Sequence, residues 1–118
     1  MTDDDLKLRV VFFRTDSGAE PVRKWLKSLS TRHMKAIGED IKTVQFGWPL
    51  GMPLVEKLEP HLWEVRTTVP DGIARVLFTR DENVMVLLHG FIKKSRKIPQ
   101  AELNTARARL RQYQEARS

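Results

Sequence analysis

Arg66, Arg75, Lys93, Lys94, Arg96 and Lys97 are the residues of this chain whose types and spacing suit a particular chemistry. The first two are single cations threaded into short apolar segments, LWEVR and GIARV, and the other four follow VMVLLHGFI almost at once. Fixed charges beside a flexible basic loop suit a polyanion, because each phosphate they neutralise releases condensed counterions. Competing chemistries are thinly represented: there is no cysteine, no phosphate-cradling glycine loop, and no acidic cluster apart from Asp3-Asp4-Asp5. Phosphate is the ligand to consider first.

The surrounding pattern predicts the elements that must position these cations. Leu6 to Arg14 is β-branched and aromatic, and reads as a strand. Ser17-Gly18-Ala19-Glu20 has the form of a capping box, with Pro21 in the first turn and Val22, Trp25, Leu26 and Leu29 at helical spacing. Ser30 or Thr31 can cap a second helix with the stripe Met34, Ile37, Ile41 and Val44, so the two helices form an αα-hairpin with one apolar seam. The density of Gly and Pro from Gly47 to Pro60 marks a loop. Strands follow over about His61–Thr68, Ile73–Arg80 and Val84–Phe91, joined at Pro70-Asp71-Gly72 and Asp81-Glu82-Asn83 into an antiparallel meander. From Pro99 a last helix carries Leu103, Ala106, Leu110 and Tyr113 on one face.

Strand parity says where the cations point. Side chains alternate across a sheet, so Trp63 and Val65 share one face and Glu64 and Arg66 the other. Ala74, Val76 and Phe78 likewise oppose Ile73, Arg75 and Leu77. Burying the Trp63, Val65, Val76 and Phe78 face against the helices leaves Arg66 and Arg75 on an outer, concave side, where removing Arg75 should spare the fold. Two readings compete at these positions. Arg66 and Glu64 can be ordinary cross-strand ion pairs, and Arg75, lying between Ile73 and Leu77, serves either a structural ion pair or a phosphate. Phe91 either closes the core or, beside Lys93 and Lys94, stacks a base whose phosphate those lysines grip. Gly90 weakens its strand and marks a bulge or a close backbone approach.

Composition sets the outer limits. At 118 residues, 41% hydrophobic and 31% charged, the chain suits one folded domain over residues 1–118. Without cysteine, thiolate metal sites and disulfides are excluded, and the acidic N-terminus and short apolar runs suit a cytoplasmic protein with no membrane contact. The net charge of +6 is unevenly placed. Residues 1–90 carry 13 Lys+Arg and 13 Asp+Glu, whereas residues 91–118 carry 8 against 2, so the C-terminal quarter supplies the excess.

LWEVR, GIARVLF and VLLHGFIKKSRKIPQAELNTARARL, in this order and spacing, resemble the phage-derived HigB-like branch of the RelE/ParE toxin superfamily. The resemblance covers nearly the whole chain, and HGFIKKSRKIPQAEL is its most specific piece. It implies an α+β, RelE-like fold: an N-terminal strand, an αα-hairpin, a three-stranded antiparallel meander and a C-terminal helix. It also implies a type II toxin that enters the ribosomal A site and cleaves mRNA by attack of the ribose 2′-OH on the adjacent phosphate, without a cofactor or metal. Carried across by motif position, Arg66 and Arg75 fall where the family places phosphate-binding residues and Lys94 falls near a further cation, with Lys93 beside it. Arg66, Arg75 and Lys94 are thus the catalytic candidates, while Lys93, Arg96, Lys97 and Phe91 are the candidates for binding RNA. Several members place a Tyr or His near the start of the last helix for acid/base work. Here that region is Arg96, Lys97, Ile98, Pro99 and Gln100, which leaves His61, His89, Glu64 or a lysine as acid/base candidates, or reliance on positioning by the ribosome. The implied partners are a cognate antitoxin, a small helix-turn-helix protein for this branch; the ribosome and its mRNA; and operator DNA through the antitoxin alone. The same fold also hosts gyrase-binding toxins, and an inactive relative would serve as half of a repressor complex.

Overall fold

A computed structural model describes residues 6–117. The Asp3-Asp4-Asp5 cluster lies outside them. The elements run β1 (Arg9–Phe12), α1 (Pro21–Ser28), α2 (Thr31–Gly47), β2 (Val55–Glu59), β3 (Leu62–Val69), β4 (Gly72–Asp81), β5 (Val84–Lys93) and α3 (Gln100–Arg117). The sheet order is β1-β5-β4-β3-β2, with β1 parallel to β5 and every other pairing antiparallel. This is the α+β arrangement expected from the sequence, consistent with a RelE-like fold, with one addition.

That addition is β2. Its residues, VEKLE, sit inside the stretch expected to be loop, yet Val55, Glu56 and Lys57 face Val65, Glu64 and Trp63 across the sheet. The Gly and Pro residues cluster before it, from Gly47 to Pro53. Only Pro60 follows, in the turn to β3, where His61 adopts φ 66°. The meander turns fall as expected. At the first of them Gly72 takes φ +145°, and a Cβ there would lie 2.8 Å from the Lys93 carbonyl oxygen, so no larger residue fits.

Two corrections concern the helices. The Ser17–Glu20 capping box does not form: α1 starts with Glu20 at its N-cap and no side-chain cap bond, while Thr15 Oγ1 accepts from the Ala19 N–H. The cap on α2 does form, with Ser30 accepting from the His33 N–H at 3.2 Å. Nor do α1 and α2 pack chiefly on each other. Each lies on the sheet, α1 against β5 and α2 against β3.

The sheet is covered on both faces. On one side Val22, Ile37, Ile41 and Val44 pack against Val65, Val76, Phe78, Met85 and Leu87, with Trp48, Trp63 and Phe78 in mutual ring contact at 5.5–5.9 Å. On the other, Leu62, Leu77, Val86, Leu88 and Phe91 pack against Ala106, Leu103, Leu110 and Tyr113 of α3. The parity of β3 and β4 is as expected, but the face carrying Arg75 is no open concavity, because α3 and the segment before it lie across it. The β4–β5 register passes from Leu77↔His89 to Phe78↔Leu87, leaving Leu88 as an extra residue. Leu88 and His89 therefore both face α3. Next to this bulge Gly90 meets α1: a Cβ there would lie 2.4 Å from the Trp25 ring.

Candidate nucleic-acid interface

β3 and β4 run side by side with Arg66 opposite Arg75 and Glu64 opposite Leu77. On the α3 side of this pair Arg75 Nη1 donates to both Glu64 oxygens, at 3.0 and 3.1 Å. Both side chains are 1% exposed. Arg75 Nη2 reaches further and donates to the carbonyls of Ser95 and Arg96, at 2.7 and 2.9 Å. Nε is left without a partner. The expectation that Arg75 stands free on an outer face is therefore corrected: it is a buried tie between the sheet and the loop that follows β5. Burial pushes the Glu64 carboxyl above its ordinary range, against the pull of Arg75 and, less strongly, Arg66. Glu64 is thus committed to a guanidinium, with no free oxygen facing solvent.

Arg66 is more open. Its side chain is 22% exposed and pairs loosely with Glu64 at 3.6 Å and with Glu56 of β2 at 3.9 Å. A cleft of about 280 Å³ opens beside this cluster, with Glu64 and Arg75 lining it together with Glu56, Arg96, Lys97 and Leu103.

The basic loop carries a cluster of unpaired positive charge. Lys93, Lys94, Arg96 and Lys97 are all exposed, and among the described residues none of their side chains has an ion-pair or hydrogen-bond partner. Their backbone, by contrast, is tied down: Ser95 Oγ donates to the Lys97 carbonyl at 2.8 Å, and Arg75 holds the two preceding carbonyls. Spending the carbonyls inward turns the side chains out. Phe91 does not join them. At 6% exposure it is buried in the core under α3, tilted against the His89 ring at 5.6 Å, and it offers no face to a base.

The two candidate histidines lie elsewhere. His61 is exposed in the β2–β3 turn, in a hollow it shares with Arg80, Tyr113 and Arg117 at the far end of the sheet. His89 sits under α3 with both ring nitrogens engaged. A guanidinium can only donate, so Nδ1 accepts from Arg109 Nη1 at 3.2 Å and the Nε2 proton faces Glu102 at 2.9 Å. Arg109 also donates to the Leu88 carbonyl at 2.9 Å, and burial lowers its pKa. Glu102, Ala106, Arg109 and Tyr113 fall on one helical face, so the pattern held a signal that polar partners await α3 on the sheet. At the helix end, the Tyr113 hydroxyl donates to Asp81 at 2.7 Å and Arg117 pairs with the same carboxylate at 3.1 Å. Among the described residues no group of three or more His, Asp or Glu side chains is placed to hold a metal ion, and no helix is long and apolar enough to cross a membrane.

A sheet-anchored basic loop after the last strand is the feature to compare with known proteins. Residues 24–111 match a family described as phage derived protein Gp49-like (DUF891), a span that includes the meander, the basic loop and most of α3. The chain belongs to this Gp49-like family. Gp49-like proteins form a toxin–antitoxin toxin family within the RelE/HigB-like group, so a cognate antitoxin is this chain's implied partner. No curated protein matches the chain. Within the Gp49-like span lie Arg66, Arg75, Glu64 and the four loop cations; β1 lies before it.

Proposed function

We propose that this Gp49-like toxin is a ribosome-dependent mRNA endoribonuclease. The observation that carries the reading is the row of four outward, unpaired cations on a backbone clamped by Arg75. Charges held on a fixed backbone lose little freedom when they meet an RNA backbone, and each phosphate contact adds counterion release. Lys94 and Arg66 are the cations assigned to the scissile phosphate. As the ribose 2′-oxygen bonds to phosphorus and the 5′-oxygen departs, charge grows on the phosphoryl oxygens, and these cations oppose it. The 2′-OH proton passes to a base supplied at the ribosome, where the departing 5′-oxygen also takes up a proton, since Glu64 and both nitrogens of His89 are already occupied and His61 lies at the far end of the sheet. Alignment of the attacking and leaving oxygens is likewise supplied by the ribosome. Arg75 acts through the loop as a positioning residue.

The test is primer extension on mRNA after brief induction, repeated in vitro with purified ribosomes present or absent. Cuts that appear in translated mRNA, and in vitro when ribosomes are added, are the expected result. Growth arrest with intact mRNA and inhibited DNA gyrase would overturn the reading in favour of a non-nuclease toxin of the same fold.

A further inference from the structure

We propose that the cavity between α2 and the free edge of β3 binds an unpaired RNA base rich in N–H donors, guanine foremost, and so sets which RNA sequence is engaged. The inference rests on the RNA reading above. The cavity is an open groove of about 490 Å³, lined by Glu39 and Asp40 of α2 and by Arg66, Thr67 and Thr68 of β3, with Leu54 and Ile73 among its apolar residues. It exists because β2 stops short: its pairing with β3 ends at Val65, and the Leu54 carbonyl takes the Arg66 N–H. Beyond that bond Thr67 and Thr68 have no β2 partner.

Two observations point to a ligand. Among the described residues neither Glu39 nor Asp40 has an ion-pair partner, so the cavity presents carboxylates with unused acceptor oxygens. Thr67, 4% exposed, has its Oγ1 buried with no hydrogen-bond partner. A buried orphan hydroxyl is uncommon and unfavourable; Thr67 lines this cavity, and a turn about χ1 toward a bound base would give its Oγ1 the missing partner.

The chemistry of the lining selects the occupant. Carboxylates repel phosphate and accept from N–H groups. Guanine presents a ring N–H and an exocyclic amine side by side, which together match one carboxylate. Unpaired bases splayed from an RNA chain are read in this way on their pairing edge. Leu54 and Ile73 supply apolar surface for the ring faces. The surroundings suit the rest of the nucleotide: Ile73 is the register partner of Lys93, and a Cβ at Gly72 would lie 3.3 Å from Lys94 Cγ. The cavity thus adjoins the root of the basic loop, where flanking phosphates find cations.

Two measurements test the proposal. Guanosine 5′-monophosphate, uridine 5′-monophosphate and arginine amide are titrated onto isotope-labelled protein while the amide signals of Thr67, Thr68 and Ile73 are followed. Short single-stranded RNAs with one guanine or none are then compared by fluorescence anisotropy. Guanosine monophosphate should move those signals, and the guanine-bearing RNA should bind about tenfold more tightly. E39Q combined with D40N should erase that preference, and uridine-only RNA, no longer facing two carboxylates, should bind at least as tightly as before. Thr67→Val should reduce the preference without lowering the melting temperature, which a structural role for the hydroxyl would not allow. Binding without base preference, or a preference that survives the double substitution, overturns this inference alone. Failure of every RNA to bind overturns the RNA reading with it. If arginine amide moves the signals and the nucleotides do not, the pocket takes a cationic protein side chain and the proposal fails.

Discussion

Arg75 Nη2 donates to the carbonyl of Ser95 at 2.7 Å, so a side chain rooted in the middle of the sheet fixes the backbone of the exposed basic loop. The same guanidinium holds Glu64, and the two roles cannot be separated by deleting it. Arg75→Ala leaves the buried Glu64 carboxylate with only its loose 3.6 Å contact to Arg66, and removing one partner of a buried pair costs about 3–5 kcal/mol. Thermal denaturation should therefore show a large fall in melting temperature, with loss of toxicity following from it. Replacing both partners by apolar residues, Arg75→Met with Glu64→Leu, should recover much of that stability while leaving the loop unanchored and toxicity low.

The loop cations should behave oppositely. Lys94→Ala, Arg96→Ala and Lys97→Ala touch no internal partner, so each should change stability by no more than about 0.5 kcal/mol. Each should weaken binding to single-stranded RNA and reduce the slope of log affinity against log salt by about 0.7. Equilibrium binding across a salt series checks both values. An unchanged slope for all three variants would remove the loop from the RNA surface.

Tyr113 gives a prediction in pH. Burial and the bond to Asp81 push its phenol from 10.0 up to about 12. The folded chain thus holds this proton more tightly than the unfolded chain does. The associated stabilisation is complete below pH 10 and is lost as pH rises through about 12. Because Tyr113 is the one tyrosine in the sequence, the ultraviolet absorbance of the phenolate reports on it alone. Asp81→Asn should bring that titration back toward 10, the ordinary value.

Gly90 gives a prediction in packing. Ala at this position drives a methyl group into the Trp25 ring, which stands 2.4 Å from the Cβ position. Overpacking of this kind costs about 1–3 kcal/mol. Denaturant unfolding should show that loss, and Trp25→Leu in the same chain should relieve part of it, so that the two changes are not additive.

Much of this arrangement can be read from the sequence, for identifiable physical reasons. β3, β4 and β5 alternate or run apolar over eight to ten residues between strong turn signals, and those turns are the ones that form. β2 cannot be read the same way, since VEKLE is short and charged and takes its strand form from pairing with β3. For Arg75, alternation yields the correct face but is silent about what covers it. The information lay in α3, whose stripe of Leu103, Ala106, Leu110 and Tyr113 needs an apolar surface, and Leu62, Leu77, Val86 and Leu88 provide it. Assigning that stripe to the Arg75 face turns an exposed cation into a buried one. Phe91 follows from the same assignment. The direction of His89 depends on the extra residue at Leu88, which no local pattern announces.

The parallel pairing of β1 with β5 joins Arg9 to Val84 and Phe12 to Leu87, positions 75 residues apart in the sequence. β5 also receives β4, α1 and α3. A chain emerging from the ribosome therefore completes β1 and α1 long before β5, the strand they pack on, has been made. These early segments must wait, with their apolar faces unpaired, until synthesis has passed Lys93. Contacts between such distant positions also slow folding, because the intervening loop must close before they form. The order of translation thus leaves an interval in which the polypeptide exists without its clamped basic loop, and a partner translated earlier would already be waiting when that loop sets.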